Sequence, residues 1–109
     1  MASLFTNLGA NATLNVQAVA SKVYSISCHN TNSSTRYFQL HDTATVPSAG
    51  NAPRFVIQVP PGATSLIGTD FFTNDGTIFY NGVAFGFSTT ETTYTAGSAG
   101  DQTSMVIFT

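Results

Sequence analysis

Two histidines and a neighbouring carboxylate are the residues whose types could do chemistry together. His29 and His41 each close a predicted strand, and Asp42 follows directly. Two imidazoles and one carboxylate are a ligand set that zinc and iron accept. Side chains alternate across a strand, however, so His41 and Asp42 should face opposite ways, and His29 falls on the polar side of its strand. The pattern favours solvated or edge histidines over a metal site, and we expect no metal and no cofactor.

Nucleophiles are also poorly placed for catalysis. No serine lies in Gly-x-Ser-x-Gly, and the nearest run, residues 96–100, has one of the two glycines in place. Cys28 is the only cysteine, so an intrachain disulfide is impossible, and its position in an alternating strand predicts a small core side chain. We therefore expect no catalytic residues and no enzyme.

The carboxylates offer two further alternatives. A glycosidase pair would require two of them to converge. The candidates are Asp42, Asp70, Asp75, Glu91 and Asp101. Asp75 and Asp101 fit turn and loop positions better, whereas Asp70 suits either a calcium ligand or a polar residue at a strand end.

The elements that must position these groups are strands. Apolar and polar residues alternate almost throughout, and turn residues recur every 8 to 12 positions. The predicted strands are 12–19, 23–29, 36–41, 54–59, 65–73, 78–80, 83–88 and 105–108. This pattern predicts an all-β fold, a single antiparallel β-sandwich of jelly-roll-like topology (residues 12–109), preceded by a short N-terminal arm (residues 1–11).

Turn chemistry suggests how the strands are joined. Residues 30–34, Asn-Thr-Asn-Ser-Ser, are predicted to link strands 23–29 and 36–41 in a hairpin. The strongest hairpin signals are Asn74-Asp75-Gly76 and Asn81-Gly82. Pro60-Pro61-Gly62 should end the strand before it, because neither proline can donate to a ladder.

Charge excludes several classes of partner. Only 7% of the 109 residues are charged, with a net charge of −2, whereas an ordinary domain is about 25% charged. Such a surface lacks the basic face that binds nucleic acid and the Lys/Arg stripe of a membrane-surface helix. Its 17 Thr, 11 Ser and 8 Asn suit neutral packing against other protein.

A few apolar residues have no obvious place in one core. Phe71 and Phe72 point to opposite faces of a strand, so one ring contacts another subunit or lies under the loop 43–53. Tyr94, in a long Thr/Ser/Gly stretch, raises the same question. The candidate interface residues are Leu4, Phe5, Leu8, Phe71, Phe72 and Tyr94.

Several segments together resemble small β-sandwich structural proteins of tailed bacteriophages. They are Val23–Asn32 and Thr35–Asp42, then Ala44–Pro47, Arg54–Gly62 and Asn81–Phe85. The shared pattern is a tyrosine strand, an Asn-x-Asn turn, an aromatic strand with Asp, a Pro-Gly corner and an Asn-Gly-hydrophobic-Ala-Phe strand. It covers residues 22–88 well.

The resemblance implies a non-enzymatic virion component, either a capsid decoration (cement) protein or a neck or tail protein. A decoration protein would be assembled in the host cytoplasm as a small homo-oligomer, such as a trimer. Its arm would clasp a neighbour or the major capsid protein. The alternative is a carbohydrate- or receptor-binding module of a neck or tail, since exposed aromatics can stack on sugars.

Overall fold

The computed structural model describes residues 3–7, 13–68, 72, 76–97 and 102–108. Within these ranges the chain forms strands joined by turns and loops, and none of the described residues is helical. The strands are β1 (Ser3–Asn7), β2 (Thr13–Gln17), β3 (Ser21–Asn30), β4 (Arg36–His41), β5 (Phe55–Val59), β6 (Thr64–Ile67), β7 (Thr77–Phe79), β8 (Val83–Ser88) and β9 (Gln102–Phe108). The all-β prediction is confirmed.

The strands form two antiparallel sheets. Sheet A has the order β1-β9-β3-β6, and β7 pairs with β3 beside β6. Sheet B has the order β2-β8-β4-β5. Strand β6 pairs with residues 26–29 of β3, and β7 with residues 21–23, so the two short strands share one edge of β3.

The core lies between the sheets. Sheet B contributes Phe38 and Phe85, whose rings stack with centroids 5.4 Å apart, and sheet A contributes Val23, Ile26 and Cys28. The predicted core position of Cys28 is confirmed, because its side chain is fully buried. Inward-facing residues of both sheets thus alternate as a sandwich requires.

The predicted hairpins are wrong. Strands β3 and β4 lie in different sheets, β7 and β8 do likewise, and β6 and β7 both pair with β3 rather than with each other. The turn residues 30–34 and 81–82 therefore form corners between the sheets. At the first corner the buried Asn30 side chain donates to the carbonyl oxygens of Ser34 and Val59, each at 2.9 Å. This side chain joins the end of β3 to the end of β5.

A β-bulge in β3 changes which of its side chains face the core. The pairing register of β3 with β9 shifts between Val23 and Ser25. The extra residue places Val23 in the core along with Ile26 and Cys28, and leaves Tyr24 half-buried. Strict alternation along the predicted strand 23–29 would place Tyr24 on the same face as Ile26 and Cys28, and the bulge prevents this.

Two segment boundaries also differ. Residues 3–7 of the predicted arm form β1, in which Ser3 lies opposite Phe108. In place of the predicted strand 65–73, β6 ends at Ile67, and residues 69–71 and 73 lie outside the described residues. Phe72 is fully buried, with its ring centre 5.6 Å from that of Phe55.

Candidate functional site

The outer face of sheet B is covered by a segment that we call the strap, residues 89–97. Gln39 lies between the core residues Phe38 and Leu40 on β4, and its side chain is also fully buried. Its amide nitrogen lies 3.0 Å from the carbonyl oxygen of Thr90, 3.2 Å from that of Glu91 and 3.1 Å from that of Thr93. The two N–H bonds of this side chain are shared among three strap carbonyls, and the Thr93 carbonyl also accepts from Ser88 Oγ and Thr90 Oγ1.

Tyr94 anchors the strap. The residue is 5% exposed, and a methyl group at Gly86 would lie 2.6 Å from its Cε1 atom. Its N–H donates to the Asn51 carbonyl at 2.7 Å, and its carbonyl accepts from the Gly50 N–H at 2.9 Å. Burial raises the pKa of the Tyr94 phenol. The loop 43–53 and the strap therefore hold each other over the sheet.

His41 lies beneath this cover and is 3% exposed. Its Nε2 is 2.9 Å from Gln39 Oε1. Because the Gln39 nitrogen faces carbonyl oxygens, the Gln39 oxygen is the acceptor and His41 Nε2 donates. Burial lowers the pKa of His41, and a hydrogen bond with the Ala52 backbone opposes that shift.

The Asp42 carboxylate accepts hydrogen bonds from the backbone at the corner between β7 and β8. The donors are the N–H groups of Tyr80 (3.1 Å) and Asn81 (2.8 Å). Arg54 Nη1 lies 3.5 Å from the same carboxylate and also donates to the Ile78 carbonyl oxygen. The Arg54 guanidinium is 4.8 Å from the ring centre of Phe79. These contacts fix the corner between β7 and β8 against the end of β4.

A polar pocket opens beside Asp42. Its volume is about 280 Å³. The lining residues are His41, Asp42, Thr43, Asn51 and Ala52. His41 ends β4 and Asp42 follows it, while the two ends of the loop 43–53 supply Thr43, Asn51 and Ala52. The pocket thus lies where two chain segments meet at the rim of sheet B.

The outer face of sheet A differs from that of sheet B, and we call it the free face. Leu66 on β6 is 75% exposed and Ile78 on β7 is 37% exposed. Their pairing partners on β3 are Ser27 and Lys22, neither of which is in the core. The bulge in β3 brings both apolar side chains to this one face.

The residues of the metal alternative are not brought together. His29 and His41 lie in different sheets, and His29 Nδ1 bonds with Thr64 Oγ1 at 2.9 Å. Among the residues that the structure describes, no three His, Cys, Asp or Glu side chains form a metal-binding group. Of the carboxylate candidates, Asp70, Asp75 and Asp101 lie outside the described residues.

The candidate interface residues have varied positions. Phe72 and Tyr94 are buried within the chain, so neither ring offers a surface to a partner. The backbones of Leu4 and Phe5 pair with β9, while Leu8 and Phe71 lie outside the described residues. Within the described residues, loop 43–53 bonds with Tyr94 through the backbone of Gly50 and Asn51.

Sequence reasoning missed the partners that matter most around the pocket, namely Gln39, Arg54 and Asn51. A glutamine between Phe38 and Leu40 reads as solvent-facing unless a distant segment covers it. The Asp42–Arg54 pair spans a loop of 11 residues, and no local spacing rule connects the two.

Comparison of the chain with protein-family models, with curated proteins and with solved structures finds no match. In the described part of the chain, no helix is long and apolar enough to cross a membrane.

Proposed function

We propose that this chain is a non-enzymatic structural protein of a bacteriophage virion, a capsid decoration protein that stabilises the shell through protein–protein contacts. The free face of sheet A is the observation that carries the proposal. Leu66 and Ile78 expose apolar surface on a chain with 7% charged residues. Apolar surface on one sheet face, with Lys22 opposite Ile78 as a charge to be desolvated, suits burial against another protein.

The strand order supports a jelly-roll topology, which we propose as the finer description of the fold. Consecutive strands β1 to β4 alternate between the sheets, and the last strand, β9, lies between β1 and β3. Double-sheet jelly rolls occur in viral capsid proteins and in lectins. Fold alone does not determine function, so the free face carries more of the argument than the topology does.

The side chains most able to do chemistry hold the fold together, which also supports a structural role. Cys28 is buried, and burial raises the pKa of its thiol to about 12. His41 bonds with Gln39, and Asp42 holds the corner at Tyr80. The partners we propose are the major capsid protein and further copies of this chain, arranged as a trimer.

Co-sedimentation with capsids of the parent phage prepared without this protein tests the proposal, and light scattering gives the oligomeric mass. We expect Leu66→Lys to weaken capsid binding at least tenfold, because it puts a charge into a desolvated interface. Val46→Lys is the matched control, since Val46 is also exposed (45%) but lies in the loop over sheet B.

A monomer that does not bind capsids would refute the assembly role. Equal binding by Leu66→Lys and the wild type would refute the assignment of the free face.

A further inference from the structure

The pocket at the rim of sheet B is small and polar. At about 280 Å³ it lies just below the roughly 300–1,000 Å³ range of ligand sites. The assembly role proposed above uses the opposite sheet, so this pocket requires its own explanation. Its lining shows which ligand chemistry it suits.

The charge of the pocket is compensated. Asp42 is its only formally charged lining residue, and Arg54 lies 3.5 Å from that carboxylate. An anion such as phosphate would meet the carboxylate, whereas a metal cation would lie near the Arg54 guanidinium. A neutral ligand avoids both repulsions.

Donors and acceptors remain available in the lining. Asn51 Oδ1 accepts from the Ser48 N–H at 2.9 Å, which leaves the two N–H bonds of its amide nitrogen for a ligand. The Asp42 carboxylate accepts two backbone N–H groups and has further lone pairs. An acceptor beside a donor matches a pair of neighbouring hydroxyls, because each hydroxyl both donates and accepts.

An exposed aromatic residue is bonded to the pocket through its backbone. Tyr80 is not one of the lining residues, but it is 67% exposed and its backbone N–H donates to Asp42. The apolar ring face and the polar hydroxyl of a tyrosine suit a ligand that has both C–H and O–H groups on its surface. The Asp42 contacts hold the Tyr80 backbone in place before any ligand binds, which lowers the entropy cost of binding.

We propose that this pocket binds a neutral saccharide, with Asp42 and Asn51 contacting its hydroxyls and Tyr80 packing on its ring. One sugar unit occupies the pocket, and a longer glycan continues across the exposed tyrosine. The affinity for a monosaccharide is millimolar, as expected of so small a ligand in a site open to water. Sugar binding to the isolated protein is measured without capsids, so each role can fail without the other.

NMR titration of the ¹⁵N-labelled protein tests the site, with glucose, galactose, mannose and N-acetylglucosamine as probes and with inorganic phosphate and Ca²⁺ as comparisons. We expect saturable shifts of the Asn51 side-chain amide and of the Tyr80 and Asn81 backbone amides with at least one sugar. Absence of saturable shifts with all four sugars would overturn the proposal. Tighter binding of phosphate or Ca²⁺ at the same amides would overturn it equally.

Two variants connect the shifts to the proposed contacts. Asn51→Asp keeps an oxygen for the Ser48 N–H but removes the amide donors, and should weaken sugar binding about tenfold, the equivalent of one good hydrogen bond. Asn32→Asp is the matched control, because Asn32 Oδ1 accepts from the Ser34 N–H in the same way at the other corner. Tyr80→Ala should weaken binding as well. Unchanged affinity in both Asn51→Asp and Tyr80→Ala would refute the site.

Discussion

Replacing Gln39 with leucine should destabilise the fold by about 2–4 kcal/mol. The substitution removes the two N–H donors that serve the carbonyls of Thr90, Glu91 and Thr93, at about 1 kcal/mol net per hydrogen bond. It also leaves the His41 Nε2–H without its acceptor, and an unsatisfied buried donor costs roughly 1–3 kcal/mol. Burial of the apolar leucine side chain offsets about 1 kcal/mol of this loss in the free energy of unfolding.

Urea unfolding followed by circular dichroism measures the effect, since the chain has no tryptophan. Gln58→Leu is the matched control: Gln58 is exposed on the neighbouring strand β5, and its variant should stay within about 0.5 kcal/mol of the wild type. Hydrogen exchange gives a local readout, because the Thr90 and Thr95 N–H groups that bond to Ser88 Oγ should exchange faster when the strap loosens. A Gln39→Leu protein as stable as the control would refute the account of the strap.

Two further predictions concern titratable side chains. Burial lowers the folded-state pKa of His41 below 6.5, so its stabilising contribution is complete above about pH 6.5 and is lost as the pH falls through the lowered value. Urea midpoints should therefore drop between about pH 7.5 and pH 5, less steeply in His41→Gln than in the control His29→Gln, and equal slopes would contradict this assignment. The thiol of Cys28, with its pKa raised to about 12, should react with a disulfide reagent only after unfolding, and rapid labelling of the native protein would show that the β3 region opens.

Period-two patterning predicted eight of the nine described strands; β1 is the exception, because residues 3–7 were predicted as part of an arm. Strands β4 and β8 occur where the alternation of Phe38 and Leu40, and of Val83, Phe85 and Phe87, places them. The pairing of strands did not follow from the sequence. An Asn-rich or Asn-Gly turn reverses the chain equally well within a sheet or between two sheets, and the choice depends on which faces can be buried together.

The candidate site was less predictable than the fold. The sequence offered His41 and Asp42 as possible metal ligands. In the structure His41 bonds with Gln39, whereas Asp42 bonds with Arg54 and with backbone N–H groups at the corner between β7 and β8. Each partner is identified only when the loop 43–53 and the strap are in place. Both segments are polar and lack periodicity, so the sequence did not show that they cover sheet B.

The position of β9 between β1 and β3 has a consequence for biosynthesis. Until residues 102–108 leave the ribosome, β1 has no partner in sheet A and one edge of β3 is open. An open edge can pair with another chain. Folding of sheet A must therefore wait for β9, and until then the edges of β1 and β3 are open to pairing with other chains.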